Sequence, residues 1–164
     1  PGKEWLRIHG EAHELGYTTN CTMLYGHVES YADRVDHLDQ LRRQQDISGG
    51  FNCLIPLPFL TENSKLKIDN PLTGVDELRN IAVSRLMLDN IPHIKAYWVM
   101  LGVKQAQVAL HFGADDFDGT VVEEKIGHMA GAESEQGLSR TELEEMIVGC
   151  GFTPVERDAA FNEV

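Results

Sequence analysis

Three helix starts of the same kind divide this chain, and they constrain its fold more than any other feature. Each is a capping box, in which a Ser or Thr hydroxyl and an acid three residues later satisfy free backbone N–H groups. They begin at Ser30, Thr73 and Ser139. The predicted helices alternate with short apolar segments, one of them typical of a strand covered on both faces. This alternation indicates an α/β fold with a parallel sheet.

Periodicity and glycine or proline breaks give the elements in chain order. Strands are predicted over residues 17–25, 51–55, 94–101 and 116–121, and helices over 4–15, from 31 to the Gly49-Gly50 pair, over 75–86 and 103–112, and from 140 onward. Residues 56–72 are predicted to be irregular. We expect one domain over residues 1–164, with four or five strands. A closed (β/α)-barrel needs eight strands and about 250 residues, so the chain forms either a small open sheet or part of a barrel.

Composition excludes several kinds of partner. Acidic residues number 26 and basic ones 14, and the formal net charge is −12. Proteins that bind nucleic acid or an anionic membrane surface need a surplus of Lys and Arg, so neither is expected here. Apolar stretches fall well short of the roughly 20 residues that span a bilayer. The start of the chain lacks a signal peptide and a Met, and three widely spaced cysteines form neither a disulfide framework nor a zinc motif. These features favour the cytoplasm.

Phosphate-binding glycine loops and the G-x-S-x-G nucleophile elbow are absent from the sequence. Asp115, Asp116 and Asp118 resemble the start of a calcium loop, but Gly119 comes too early for the EF-hand turn. Two interpretations of these acids stay open. They form either an acidic, solvent-facing strand end or a contact with substrate.

Two other clusters have simple structural explanations. His9 and His13 are spaced to grip a metal from one helix face, but Gly10 stands where zinc proteases carry Glu. A solvated outer helix face is therefore favoured. Cys21 and Cys53 fall inside predicted strands, where Cys usually acts as a small buried hydrophobe.

Two segments that follow predicted strands point to a binding site. Residues 22–29 place Gly26, His27 and Glu29 just past the carboxyl end of a strand, and residues 55–59 leave the next strand as a stiff apolar loop. Ligands of parallel α/β folds bind at this edge. A tight turn explains the first segment and plain packing the second, but their occurrence at one sheet edge favours a site.

These residues carry a family resemblance. The segment TMLYGHVE resembles the fifth-strand motif of radical S-adenosylmethionine enzymes, GxIxGxxE, with Thr22 in place of the first Gly. Together with GGFNCLIPLPF and AVSRLMLDNIPHIKAYWVMLG, it is similar to the branch that makes menaquinone precursors and deazaflavin. Residues 115–132, DDFDGTVVEEKIGHMAGA, are similar to the aminofutalosine synthase family within that branch. The resemblance covers residues 6–158.

The resemblance implies that this chain is the C-terminal half of a TIM-barrel-like (β/α)-barrel, with four to five parallel strands and flanking helices. It also implies two cofactors, S-adenosylmethionine and a four-iron four-sulfur cluster. The cluster motif C-x₃-C-x₂-C is expected in a preceding N-terminal half. Cys21, Cys53 and Cys150 do not replace it, because three thiolates must converge on one cluster. The chain alone is therefore expected to be inactive.

For the intact protein, the resemblance implies adenosyl transfer from S-adenosylmethionine to 3-[(1-carboxyvinyl)oxy]benzoate by radical addition and rearrangement. The product is 6-amino-6-deoxyfutalosine, used in menaquinone synthesis. By their positions in the family's motifs, four residues are expected to bind the S-adenosylmethionine cofactor: Leu24, Gly26, Glu29 and Ile55. Strand-end residues expected to meet the substrate are His27, Glu62, Asn63, Asp116, Thr120 and Glu123. No catalytic residue and no metal ligand is assigned.

Other interpretations stay open. Dehypoxanthine futalosine cyclase and the deazaflavin synthases share the G-H-x-E turn but catalyse other reactions. A stand-alone half-barrel binding module is a third possibility, and it hides its open sheet edges by self-association. The expected partners are a small-molecule substrate, an electron donor for the cluster and, for the isolated chain, further copies of itself.

Overall fold

Four parallel strands form the centre of the fold, as a computed structural model of residues 2–121, 125–132 and 137–164 shows. They are β1 (Thr19–Tyr25), β2 (Phe51–Pro58), β3 (His93–Ala96) and β4 (Asp116–Phe117). The strands pair in chain order, each parallel to the next, so β1 and β4 are the two edges.

Helices connect and flank these strands. They are α1 (Gly2–Glu14), α2 (Tyr31–Ser48), α3 (Gly74–Met87), α4 (Trp98–Leu101), α5 (Val103–Ala109), α6 (Lys125–Ala130) and α7 (Arg140–Gly149). A 3₁₀ turn, Leu110–Phe112, follows α5. The three predicted capping boxes at Ser30, Thr73 and Ser139 are all formed. The predicted α/β fold with a four-stranded parallel sheet is confirmed, and it matches half of a TIM-like barrel.

The two faces of β1 differ sharply in exposure. Cys21, Met23 and Tyr25 are buried on the face that joins the helices in one apolar core. Thr22 and Leu24 alternate with them and are exposed. In a closed barrel, side chains on this second face point inward and are packed in layers. The sheet therefore presents the inner face of a barrel that these four strands do not close.

Strand β2 is longer than predicted and includes Pro56 and Pro58. Phe59 N–H donates to Tyr25 O at 2.8 Å, so alternate residues of β2 direct their N–H groups at β1. The backbone nitrogens of the two prolines are directed at the side of β3. Strand β3 pairs with β2 only as far as Leu54, so no hydrogen bond between β2 and β3 is lost at the prolines.

Three predicted strands are shorter in the structure, and the first of them, β1, begins at Thr19 instead of residue 17. Residues 98–101 form the helical turn α4 instead of extending β3, and Gly102 N–H closes the turn on Trp98 O at 2.8 Å. An eight-residue apolar run suits a buried strand and a buried helix equally well, which explains the error. Strand β4 has only two residues, because the partner strand β3 ends at Ala96.

The two histidines of α1 are not on a solvated outer face, contrary to the favoured interpretation. His9 Nδ1 and His13 Nε2 each lie 2.8 Å from Thr19 Oγ1, and His13 Nδ1 lies 2.6 Å from Ser48 Oγ. The Ser48 hydroxyl donates to Gln44 O, so it accepts from His13 Nδ1–H. His13 Nε2 then accepts the Thr19 hydroxyl, which in turn accepts from His9. This directional chain of hydrogen bonds requires that His13 Nε2 carry no proton, because that nitrogen is the acceptor of the Thr19 hydroxyl.

Within the described ranges, no group of three or more His, Cys, Asp or Glu side chains is placed to hold a metal ion. Over the same ranges, no helix is both long enough and apolar enough to cross a membrane.

The histidine chain predicts a pH-dependent stability. Burial lowers the pKa of His9 and of His13, so the unfolded state binds more protons as pH falls below about 6.5. We expect the urea midpoint of the native polypeptide, as made in its source cells, to fall between pH 7.5 and 5.5 for this reason, and the H9Q/H13Q variant to flatten this slope.

The matched control is H111Q, at an exposed position, which keeps the wild-type slope. Burial also lowers the pKa of His37, so a residual slope persists in the double variant. A double variant with the wild-type slope contradicts the assignment.

Candidate functional site

The turn that follows β1 is held by one carboxylate. Glu29 accepts the backbone N–H of Gly26 at 2.5 Å and that of His27 at 2.9 Å. Arg34 Nε and Nη2 lie 2.8 and 2.7 Å from Glu29 Oε1. Burial opposes ionisation of Glu29, but these hydrogen bonds outweigh it and lower the pKa of the carboxyl group. Glu29 is therefore a charged, half-buried clasp that fixes the path of the backbone at the sheet edge.

Gly26 is required by both backbone conformation and space. Its φ is +89°, in the left-handed region that side chains rarely adopt. A Cβ added here would lie 2.3 Å from Leu72 Cδ1, because the segment after β2 folds over the turn. The absence of a side chain at Gly26 is therefore what allows Leu72 to pack against this turn.

His27 connects this turn to the end of β2. Its Nδ1 accepts Val28 N–H at 2.7 Å, so the neutral ring carries its proton on Nε2. The ring meets Phe59 edge-on, with centroids 5.8 Å apart. The two segments that the sequence singled out, residues 22–29 and 55–59, are therefore in contact at one edge of the sheet.

The four residues carried over to the cofactor site lie around this edge. Thr22 is paired with Ile55 in the register, so Leu24 and Ile55 lie on the same open face of the sheet. Leu24 is 49% exposed there. Gly26 and Glu29 form the turn that borders this face. Their binding role stays a prediction.

The predicted substrate residues are placed more unevenly. Glu62 and Asn63 are exposed, and Asn63 Nδ2 donates to Met129 O at 3.0 Å, which joins the segment after β2 to α6. Thr120 is exposed beyond β4. Glu123 lies outside the described residues.

Asp116 is not part of a solvent-facing strand end. It is 8% exposed, and its carboxylate binds Arg157 through two nitrogens, with Nη2 at 2.9 Å from Oδ1. Lys95 Nζ lies 3.5 Å from the same Oδ1 and also pairs with Asp118. A role of Asp116 in substrate contact stays a prediction, although both of its oxygens already have cationic partners.

Sequence reasoning missed Lys95 and Arg157. The signal for Lys95 was a lone charge inside an apolar strand, since lysine is almost never fully buried unless it is paired. Arg157 carried no local signal, because its partner Asp116 is 41 positions away.

The cysteines of this chain do not fit an iron–sulfur cluster. The Cys21 thiol donates to Cys53 O, the Cys53 thiol to Leu54 O, and the Cys150 thiol to Gln107 O. Burial raises the pKa of Cys53 to about 12, whereas a cluster ligand must be a thiolate.

The close contact of Gly26 with Leu72 predicts that a methyl group added at Gly26 lowers the free energy of unfolding. We expect G26A to lower the free energy of unfolding by more than G49A does. Gly49 also has a positive φ, of +63°, but a Cβ there meets nothing within 4 Å. Left-handed strain of about 1–2 kcal/mol is common to both variants, and only G26A must also displace Leu72.

Urea unfolding of the native polypeptide measures both costs. In an L72A background the cost of G26A is expected to fall to that of G49A. Equal costs of G26A and G49A in the wild-type background contradict the assigned contact.

Known proteins match this chain over almost all of its length. It is 52% identical to the aminodeoxyfutalosine synthase of Thermus thermophilus and 46% identical to that of Streptomyces coelicolor, over 98% and 97% of this chain. It is also 43% identical, over 98% of its length, to the 5-amino-6-(D-ribitylamino)uracil–L-tyrosine 4-hydroxyphenyl transferase of Methanopyrus kandleri. The matches cover 44%, 44% and 45% of these relatives. The chain thus spans less than half of their length.

A family model places the chain more directly. The model described as the CofH/MqnC C-terminal region matches residues 48–163, which include β2, β3, β4 and every helix from α3 onward. The chain therefore belongs to the CofH/MqnC C-terminal region family.

Proposed function

We propose that this chain is the C-terminal half of an aminofutalosine synthase, a radical S-adenosylmethionine enzyme. The reaction transfers the adenosyl group to 3-[(1-carboxyvinyl)oxy]benzoate and yields 6-amino-6-deoxyfutalosine for menaquinone synthesis. The observation that carries the proposal is the Glu29-clasped turn at the carboxyl end of β1. Identity of 52% to a synthase of Thermus thermophilus supports it.

In this proposal the chain binds and orients the two substrates. Leu24 and Ile55 supply an apolar wall for the adenine base, and Gly26 lies in the turn beside it. His27 offers its Nε2–H to a polar group of the second substrate. Such positioning, together with the exclusion of water, is the main contribution a protein makes to radical chemistry carried by a cofactor.

Both edges of the sheet leave room for the rest of a barrel. A cavity of about 650 Å³ borders β1 and is lined by Thr22 and Leu24, with Trp5 and His37 from the neighbouring helices. A second cavity, of about 660 Å³, lies between the end of β4, α7 and the C-terminal segment from Pro154 onward. We propose that an N-terminal half, which carries the cluster ligands and receives electrons from a donor, completes the sheet at these edges. Self-association of the isolated chain is the corresponding prediction for this half alone.

A second candidate function has a specific observation in its favour. The archaeal relative at 43% identity is named for transfer between L-tyrosine and 5-amino-6-(D-ribitylamino)uracil. The synthase is preferred because both named synthases are more similar to this chain, at 52% and 46%.

Product analysis separates these functions. The native polypeptide, purified without oxygen, is given a reductant, S-adenosylmethionine and one substrate set at a time, and products are identified by mass spectrometry. We expect the adenosyl carbon skeleton to appear in a product with 3-[(1-carboxyvinyl)oxy]benzoate. A product only from L-tyrosine and 5-amino-6-(D-ribitylamino)uracil contradicts the proposal, as does release of 5′-deoxyadenosine with a cyclised futalosine derivative, the outcome for a cyclase.

The proposed role of His27 predicts a selective loss of turnover. H27A removes one hydrogen bond to a polar substrate group, and a bond of this kind to a charged partner contributes about 1.5–3 kcal/mol. We therefore expect product formation to fall by at least about tenfold, while the iron content per chain is unchanged.

The control is H111A, at an exposed position beside Phe152, with wild-type activity expected. Unchanged product formation by H27A with normal iron content would refute the role.

A further inference from the structure

The last nine residues, 156–164, fold into a compact C-terminal clip. Val164 N–H donates to Glu156 O at 3.1 Å, and an antiparallel bridge joins Arg157 to Glu163. The Asp158 carboxylate accepts two backbone N–H groups of the clip, at 2.8 and 2.9 Å. The clip is therefore an ordered segment that is held together by its own hydrogen bonds.

The clip is anchored to the amino ends of β3 and β4. The Phe161 ring stacks on His93, the first residue of β3, with centroids 4.8 Å apart and planes inclined by 17°. The Arg157 guanidinium also lies over this ring, 3.9 Å from its centroid. The same guanidinium binds both oxygens of Asp116, the first residue of β4. The clip thus reaches the sheet at the end opposite to the Glu29 turn.

A row of alternating charges leads from the clip to the other end of the sheet. The Lys95 and Asp116 side chains are only 6% and 7% exposed, whereas the Asp118 side chain is 33% exposed. Lys95 Nζ lies between the two carboxylates, 3.5 Å from Asp116 Oδ1 and in closer contact with Asp118. Asp118 directly follows β4, at the carboxyl edge of the sheet, and its backbone oxygen accepts the buried Trp98 Nε1–H at 3.3 Å.

These contacts make the position of Lys95 depend on Arg157. A buried carboxylate without a cationic partner is costly, so Asp116 deprived of Arg157 would draw the Lys95 ammonium to itself. Asp118 would then lose its partner Lys95. Because the Asp118 side chain is already one-third exposed, it would turn toward solvent. Arg157, which belongs to the C-terminal clip, binds both oxygens of Asp116 and so prevents this movement of Lys95.

We propose that Arg157 is a positioning residue. By neutralising Asp116 it leaves Lys95 to hold Asp118, and so fixes a carboxylate at the edge where substrates bind. There Asp118 accepts a hydrogen bond from a hydroxyl or N–H group of a substrate. The part that concerns substrate rests on the proposed function, whereas the dependence of the Lys95–Asp118 pair on Arg157 does not.

The test is a rescue experiment on the native polypeptide. R157M leaves Asp116 with Lys95 but without its guanidinium partner. Because Asp118 then loses the Lys95 contact that fixes it, we expect kcat to fall by at least about tenfold, roughly the contribution of one hydrogen bond to a charged group, with a smaller change in KM for S-adenosylmethionine. R157K keeps a cation beside Asp116, and we expect its kcat to lie closer to that of the wild type than to that of R157M.

The matched control is R140M. Arg140 also holds the clip, through an exposed ion pair with Glu156 at 2.8 Å, but does not contact Asp116. We expect wild-type kcat for this variant. If R157K is as impaired as R157M while both unfold at the wild-type urea midpoint, a cation at position 157 does not position Lys95 and the proposal is overturned. Loss of activity in R140M equal to that in R157M overturns it as well.

A structural readout separates this proposal from the proposed function. In a crystal structure of the R157M variant, we expect Lys95 Nζ to lie closer to Asp116 than to Asp118. A Lys95–Asp118 pair that stays as in the wild type refutes the positioning role. Because this result needs no turnover, it decides the matter even if the wild-type protein forms no adenosylated product.

Discussion

The parallel pairing of β1 with β2 is the contact on which the rest of this structure depends. The two strands pair from Thr19 and Phe51 to Tyr25 and Pro58, with one register shift after Thr19, whereas β3 and β4 each contribute only a short ladder. Because parallel strands end at the same edge, this register places the turn after β1 beside the end of β2. The Glu29 clasp, the Leu72 contact and the His27–Phe59 contact all follow from that placement.

Buried charges add to apolar packing in the other half of the sheet. Ile94 and Ala96 of β3 belong to the same apolar core as β1 and β2, and the Lys95, Asp116 and Arg157 side chains join β3 and β4 to residues 156–164. A buried ion pair contributes little net stability, but removal of one partner is strongly destabilising. This arrangement makes the geometry of β4 sensitive to the C-terminal clip, while the β1–β2 half rests on apolar packing and one clasped turn.

Local signals in the sequence predicted well, and non-local ones did not. The capping boxes at Ser30, Thr73 and Ser139 need only residues within one helical turn, and all three are formed. The end of β3 was missed because the apolar run around Trp98 fits both helix and strand. The buried His13 ring is hydrogen-bonded to Thr19 and Ser48. The buried Asp116 carboxylate is paired with Arg157. The spacing of these residues along the chain does not predict either contact. The proximity of residues 22–29 and 55–59 was predicted correctly because neighbouring parallel strands end at the same edge of a sheet.

The central claim of this account is that the four strands are half of a barrel that the rest of a longer polypeptide completes. The most direct test is the mass of the native polypeptide in its source cells, detected with an antibody raised against this chain. The account predicts a species of about 30 kDa or more, which corresponds to the roughly 250 residues of a full barrel. A native species of 18.3 kDa would contradict it.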